Sequence, residues 1–129
     1  MATGLSSTIA NSILNSLCRA TSWTAPTAFY VKLHLGDPGA SGASNAATET
    51  TRKAITFSAA SGGAITNSAG VSWTSYPATE TVSHVSFWDA SSAGNFLGSD
   101  ALNSSVSAVT GNTLTLAAGD LDLTLTVAA

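Results

Sequence analysis

The sequence predicts an all-β fold: an antiparallel β-sandwich, jelly-roll-like, or a small barrel, preceded by one N-terminal amphipathic α-helix. Three observations carry that reading. Apolar residues recur at helical spacing only between Leu5 and Leu17. From Phe29 onward they recur at every second residue, in short runs that return at intervals of about 8–12 residues. Turn-forming residues separate those runs, at Ser61-Gly62-Gly63, Gly111-Asn112 and Gly119-Asp120.

Leu5, Ile9, Ile13, Leu14 and Leu17 fall on one face of the predicted helix, with Ser6, Ser7, Asn11, Ser12 and Asn15 elsewhere. Thr3 or Ser6 supplies the N-cap oxygen. A helix of this length is marginal alone, so its apolar face has to dock on the sandwich or on a neighbouring subunit. ATSWTAPT (20–27) then forms a loop, because Pro26 keeps Ala25 out of helical geometry.

In YVKLHL (30–35), Val31, Leu33 and Leu35 alternate with Tyr30, Lys32 and His34, the pattern of a half-buried strand ended by GDPG. His34 is therefore expected on the solvent side, with Asp37 capping its own turn. Residues 40–51 carry no large apolar side chain and read as an exposed loop. KAITFSA (53–59) places Ile55 and Phe57 on one face, and Val71 and Trp73 alternate with Ser72 and Thr74 before Pro77. In TVSHVSFWDA (81–90), Val82, His84, Ser86 and Trp88 oppose Ser83, Val85 and Phe87. NFLGSDAL reads as a shorter strand broken at Gly98. VSAVT and TLTLAA follow, and LDLTLTV is the cleanest alternating run. The chain is read as one domain, 1–129, with the helix and connecting loop at 1–27 and the sandwich at 28–129.

Composition narrows the function classes. Charged residues make up 9% of the chain, against about a quarter in an average soluble domain, and serine, threonine and alanine replace them. Such a surface is cheaply desolvated and suits a protein packed against neighbours. A net charge of −3 from four basic and seven acidic residues leaves no basic stripe for phosphates, so no nucleic-acid partner is expected. Cys18 stands alone, which rules out an intrachain disulfide and a CxxC metal motif. No apolar run approaches the roughly 20 residues that span a bilayer, and MATGLSST does not resemble a secretory signal. No membrane partner is expected, and synthesis in a cytoplasm is.

No catalytic residue, metal ligand or cofactor is predicted. His34 with Asp37, and His84 with Asp89 and the nearby Ser83 and Ser86, are the two constellations with chemistry in them, but alternation scatters each across opposite faces. Motifs of the GxSxG, HExxH, EF-hand, GxGxxG and GxxxxGK[ST] types are absent. Trp73 and Trp88 are divided between core and surface. Trp23 and Tyr76 lie in loops and are expected at an interface, and Arg52 reads as a solvated strand start or an ion pair to an acidic neighbour. With the helix stripe, the candidate interface residues are Leu5, Ile9, Ile13, Leu17, Trp23, Arg52 and Tyr76.

The succession FYVKLHLGDPG, TRKAITFSAASGGAITNSAGVSW, VSHVSFWDASSAGNFL and LAAGDLDLTLTV resembles a family of small tailed-bacteriophage virion proteins, of the type found in phages of actinobacteria and labelled head-decoration, minor tail or tail-fibre proteins. The resemblance covers nearly the whole chain, with Arg52-Lys53-Ala54-Ile55 in the place where the family has an arginine before a β-branched or aromatic residue. It implies a non-enzymatic, multi-copy building block on the virion. The first expectation is a capsid decoration (cement) protein, a homotrimer on the outer face of the shell that binds the major capsid protein and stabilises it. The alternative is a minor tail or tail-fibre component that contacts other tail proteins or a host-surface glycan.

Overall fold

The computed structural model describes residues 3–128. One helix, α1 (Ser7–Arg19), precedes eight strands: β1 (Tyr30–His34), β2 (Lys53–Ala54), β3 (Ala64–Thr66), β4 (Val71–Trp73), β5 (Glu80–Trp88), β6 (Phe96–Ala108), β7 (Leu114–Leu116) and β8 (Asp122–Thr124). The fold is all-β with one helix, as the alternation predicts. β2-β1-β5-β6 form a four-stranded sheet, while β3 pairs with β8 and β4 with β7; every pairing is antiparallel.

A single apolar cluster joins these pieces. The sheet contributes Val31, Leu33, Val85, Phe87 and Leu97, and the opposing ladders contribute Val71, Trp73, Leu114 and Leu116, with Leu121 just ahead of β8. Phe29 and Phe57 pack edge-on at 5.1 Å and lean on Phe87, closing one end. Asn67 pins the ladders together: its amide donates to the carbonyls of Ala69 and Ala117, and its oxygen accepts from Gly119 N and Leu121 N. Buried at 2% exposure, it has each polar atom doubly used, so truncating it would strand the Leu121 N–H, whereas Gly119 N keeps the Asn67 backbone carbonyl.

The helix begins two residues later than its spacing suggests. Ser6 is the N-cap, its hydroxyl accepting from Ile9 N, and Ala20 closes the other end in the left-handed region with its N–H on Asn15 O. Leu5 therefore precedes the helix and bridges to Gly98 on the free edge of β6. Ser6 N donates to Leu97 O, and Ser99 N to Gly4 O. Gly98 does not break β6, which runs thirteen residues. It lets the N-terminal segment approach: a Cβ there would stand 2.8 Å from Gly4 O and 3.2 Å from Leu5 Cα.

Several faces differ from the alternation. A register shift between Val82 and His84, with residues 102–105 opposite Ser83, rephases β5 so that Val82, Val85 and Phe87 are all buried. Leu35, expected in the core, is exposed, because the chain turns away at Gly36 once β1 has ended. Leu125 and Val127 are exposed as well, since β8 ends at Thr124 and nothing pairs along the rest of that run but Leu125 N on Gly63 O. β3 was not anticipated; its three residues exist through pairing with β8.

Gly98→Val is expected to lower stability by ~1–3 kcal/mol, the cost of overpacking, and to strip hydrogen-exchange protection from the Ser6 and Ser99 amides. An unchanged denaturation midpoint with both amides protected would contradict this docking of the N-terminal segment.

Candidate functional site

The residue expected in solvent is a buried polar group. His34 is fully buried, because the 38–47 loop folds back over the second face of β1 and bridges to it through Ala46. His34 Nδ1 lies 2.8 Å from Ser44 O and Nε2 2.8 Å from Ser86 Oγ, which in turn receives Trp88 Nε1–H at 2.8 Å. A carbonyl only accepts, so Nδ1 carries the proton; Nε2 then accepts from the Ser86 hydroxyl, whose oxygen accepts from the indole. Burial lowers the imidazole pKa against the Ser44 hydrogen bond, with Lys32 and His84 adding to the decrease.

A serine hydroxyl on Nε2 and an acceptor on Nδ1 are the parts of an activated nucleophile. Here both Ser86 and His34 are fully buried, so no substrate reaches them, and the chain serves to hold loop and strand together. The second histidine assembles nothing of the kind: His84 Nδ1 meets Ser83 Oγ at 2.7 Å, while Asp89 is engaged by Asn95. Asp37 caps its own turn by accepting from Gly39 N. Among the described residues no group of three His, Cys, Asp or Glu side chains stands close enough to hold a metal ion, and no helix is long and apolar enough to cross a membrane.

The candidate interface residues separate into three groups. Tyr76 is inside, 1% exposed: Ser75 turns the chain at φ 50°, swinging the ring into the core, where its hydroxyl donates to Glu80 Oε1. Burial, then the Glu80 hydrogen bond and charge, raise the phenol well above its ordinary value. Burial alone would raise Glu80 too, but hydrogen bonds from Tyr76 and Thr48 outweigh it and leave the carboxyl below its ordinary range. Arg52 is used within the chain. Its guanidinium lies 4.0 Å over the Trp88 ring, and Nη1 donates to Ala90 O and Ala93 O, so the side chain braces a turn of its own chain.

Ile9 and Leu5 are half-buried, and Ile13 sits at the lip of an apolar groove between α1 and the β3–β8 ladder, shared with Ile65, Leu123 and Leu125. Leu14 and Leu17, by contrast, are 56% and 78% exposed, with nothing of this chain over them.

Trp23 borders a cleft of about 440 Å³. One wall is α1, through Thr8, Ile9 and Ser12; another is the connecting segment, through Trp23, Thr24 and Pro26; the third is the β5–β6 turn and the start of β6, through Asp89, Asn95, Phe96 and Leu97. The turn is held from behind, by Arg52 on its carbonyls and by Trp88 against Phe96 at 5.5 Å. Within it Asp89 accepts from Asn95 N at 2.7 Å and Asn95 Nδ2 at 2.8 Å, bonds that lower its pKa and keep it ionised. Only glycine fits at 94: φ is 74°, and a Cβ would stand 2.5 Å from Asp89 Oδ1. Sequence reasoning found Trp23 but not Asp89 and Asn95 beside it; the spacing in DASSAGN, an acid and an amide flanking a glycine turn, was the available signal.

On the other side of the sheet edge, Asp100 and Asp122 meet, Asp122 N donating to Asp100 Oδ2 at 3.2 Å. Burial, reinforced by the charge of Asp122, pushes the Asp100 carboxyl up to about 7.

A family model described as podophage GP4 fiber I protein gp80 matches residues 4–124. No curated protein matches the chain.

Two buried groups give stability opposite slopes with pH. His34 has a lowered pKa, so its contribution is present above its ordinary 6.5 and lost as pH falls through the folded-state value. Asp100 has a raised one, so its contribution is present below 3.8 and lost as pH rises through about 7. Denaturation across that range is expected to show His34→Gln less sensitive to acid than the wild type, and Asp100→Asn without the loss between acid and neutral pH. His34→Ala is expected to cost ~2–4 kcal/mol at neutral pH; parallel profiles, or a cost under ~0.5 kcal/mol, would refute the role given to the chain.

Proposed function

The chain belongs to the podophage GP4 fiber I protein gp80 family and is thereby a phage virion structural protein; from that premise we propose that it is a fibre-type surface subunit retained by packing against neighbouring subunits. The observation that carries this is the apolar surface the fold leaves uncovered. Leu14, Leu17, Leu125 and Val127 are between 50% and 78% exposed, and Leu125 borders a groove also lined by Leu5, Ile13, Ile65 and Leu123. The groove lining is uncharged, and Arg19 is the one charged residue of α1, so a neighbour covers this face with little desolvation penalty. The neighbour proposed is a second copy of the chain, with homotrimer formation as the expected closure.

A second reading places the protein on the capsid as a decoration protein bound to the major capsid protein. The low-charge, hydroxyl-rich composition favours it, since many weak copies then act together. Neither reading uses bond-making chemistry, and the Ser86–His34 pair is sealed in the core.

Mass-spectrometric stoichiometry against the major capsid protein separates the two, with hundreds of copies per particle expected for decoration and at most a few dozen for a fibre. In solution, the wild type is expected to self-associate and Leu14→Ser/Leu17→Ser to be monomeric, with stability changed by no more than ~0.5 kcal/mol because neither side chain is buried. Ile9→Asp is the poorer test, since Ile9 packs on the core. Normal assembly and virion incorporation of the double variant would defeat the packing proposal.

A further inference from the structure

The Trp23 cleft differs in kind from the apolar face. It pairs an indole that is 38% exposed with an ionised carboxylate, a side-chain amide and the hydroxyls of Ser12 and Thr24. Trp73 and Trp88 spend their N–H groups inside the protein, on Thr51 O and Ser86 Oγ, whereas Trp23 finds no such partner among the described residues. The carboxylate of Asp89 takes one bond on each oxygen from Asn95, which leaves lone pairs on both for outside donors.

We propose that this cleft binds a neutral saccharide of the host surface. A sugar ring offers an apolar C–H face to stack on an exposed indole and a rim of hydroxyl donors for a fixed carboxylate, the two features set side by side here. The volume falls in the range of small-molecule sites. Charge selects the class. The cleft is lined by one carboxylate and no Lys, Arg or His, and Arg52 braces the turn from behind through Trp88 and the carbonyls of Ala90 and Ala93. Uronates, sialosides and phosphorylated sugars would therefore be repelled. The carboxylate is pre-positioned, because Gly94 and the Arg52 contacts hold its turn before any ligand arrives, which spares the ordering cost of binding. Weak single-site binding suffices where many copies face one surface. The inference goes beyond subunit packing and does not rest on it.

The full chain is applied to an array of neutral and uronate-bearing oligosaccharides, and each neutral hit is titrated by tryptophan fluorescence. Neutral sugars are expected to bind and uronates not to. Trp23→Ala, which removes a side chain outside the core, is expected to weaken binding by about tenfold or more, and Asp89→Asn by about tenfold; Trp23→Tyr retains it. Melting curves confirm that each variant is folded, and Val109→Ser, an exposed position beyond the opposite end of β6 from Phe96, binds as the wild type. Absence of any neutral hit, preference for uronates, or unchanged affinity in folded Trp23→Ala overturns the proposal. The self-association of Trp23→Ala, measured in parallel, keeps failure of the saccharide site distinct from failure of the packing reading.

Discussion

The structure depends on one buried polar chain, from Trp88 through Ser86 and His34 to the backbone of Ser44. Each member fixes the next. The Ser44 carbonyl sets the tautomer of the imidazole, the imidazole sets the direction of the serine hydroxyl, and the hydroxyl oxygen receives the indole proton. In a dry interior such a chain is favourable only when complete, since any one missing partner leaves a desolvated group unpaired. That requirement, together with the backbone bonds from Leu35 N to Asn45 O and from Ala47 N to Leu33 O, holds the 38–47 loop against β1, although the loop has too few large side chains to stay there by apolar burial.

The consequences run outward from Trp88. Its ring packs against both Arg52 and Phe96, and Arg52 passes the constraint on to the turn through the carbonyls of Ala90 and Ala93. The turn then presents Asp89 in a fixed position beside Trp23. A surface cleft on mobile connections would be a poor binding element; this one stands on a braced turn and a capped helix. At the far end Asn67 plays a comparable part for the ladders, with four hydrogen bonds through one side chain. The four-stranded sheet and the two short ladders thus owe their relative placement to a few saturated polar joints as well as to the shared apolar core.

Much of this was legible in the sequence, and the failures share a cause. The strand cores at Val31, Leu33 and Val71, the capped turn at Asp37 and the phage virion family follow from local pattern or wording, and the helix cap was narrowed to Thr3 or Ser6. Alternation, however, states only that a strand has two faces, not what lies over the second one. His34 looked solvated because its cover comes from a loop of small residues ten positions away. Leu125 and Val127 looked buried because they alternate well, yet no strand pairs beyond Thr124. Tyr76 looked exposed because it sits in a turn, and a single left-handed residue before it reverses that. The cleft was half visible: Trp23 stood out by type and Asp89 only as a partner for His84, whereas Asn95 was hidden in a run that reads as ordinary turn residues.

The most direct test of this account is the protonation state of His34 in the folded protein, read from the imidazole nitrogens by two-bond ¹H–¹⁵N NMR. The account requires a single neutral tautomer, with its proton on Nδ1 and shielded from solvent, persisting as pH falls below the ordinary 6.5. A proton on Nε2, or free titration at the ordinary value, would mean that the loop, the strand and the site-bearing turn are not joined in the way described.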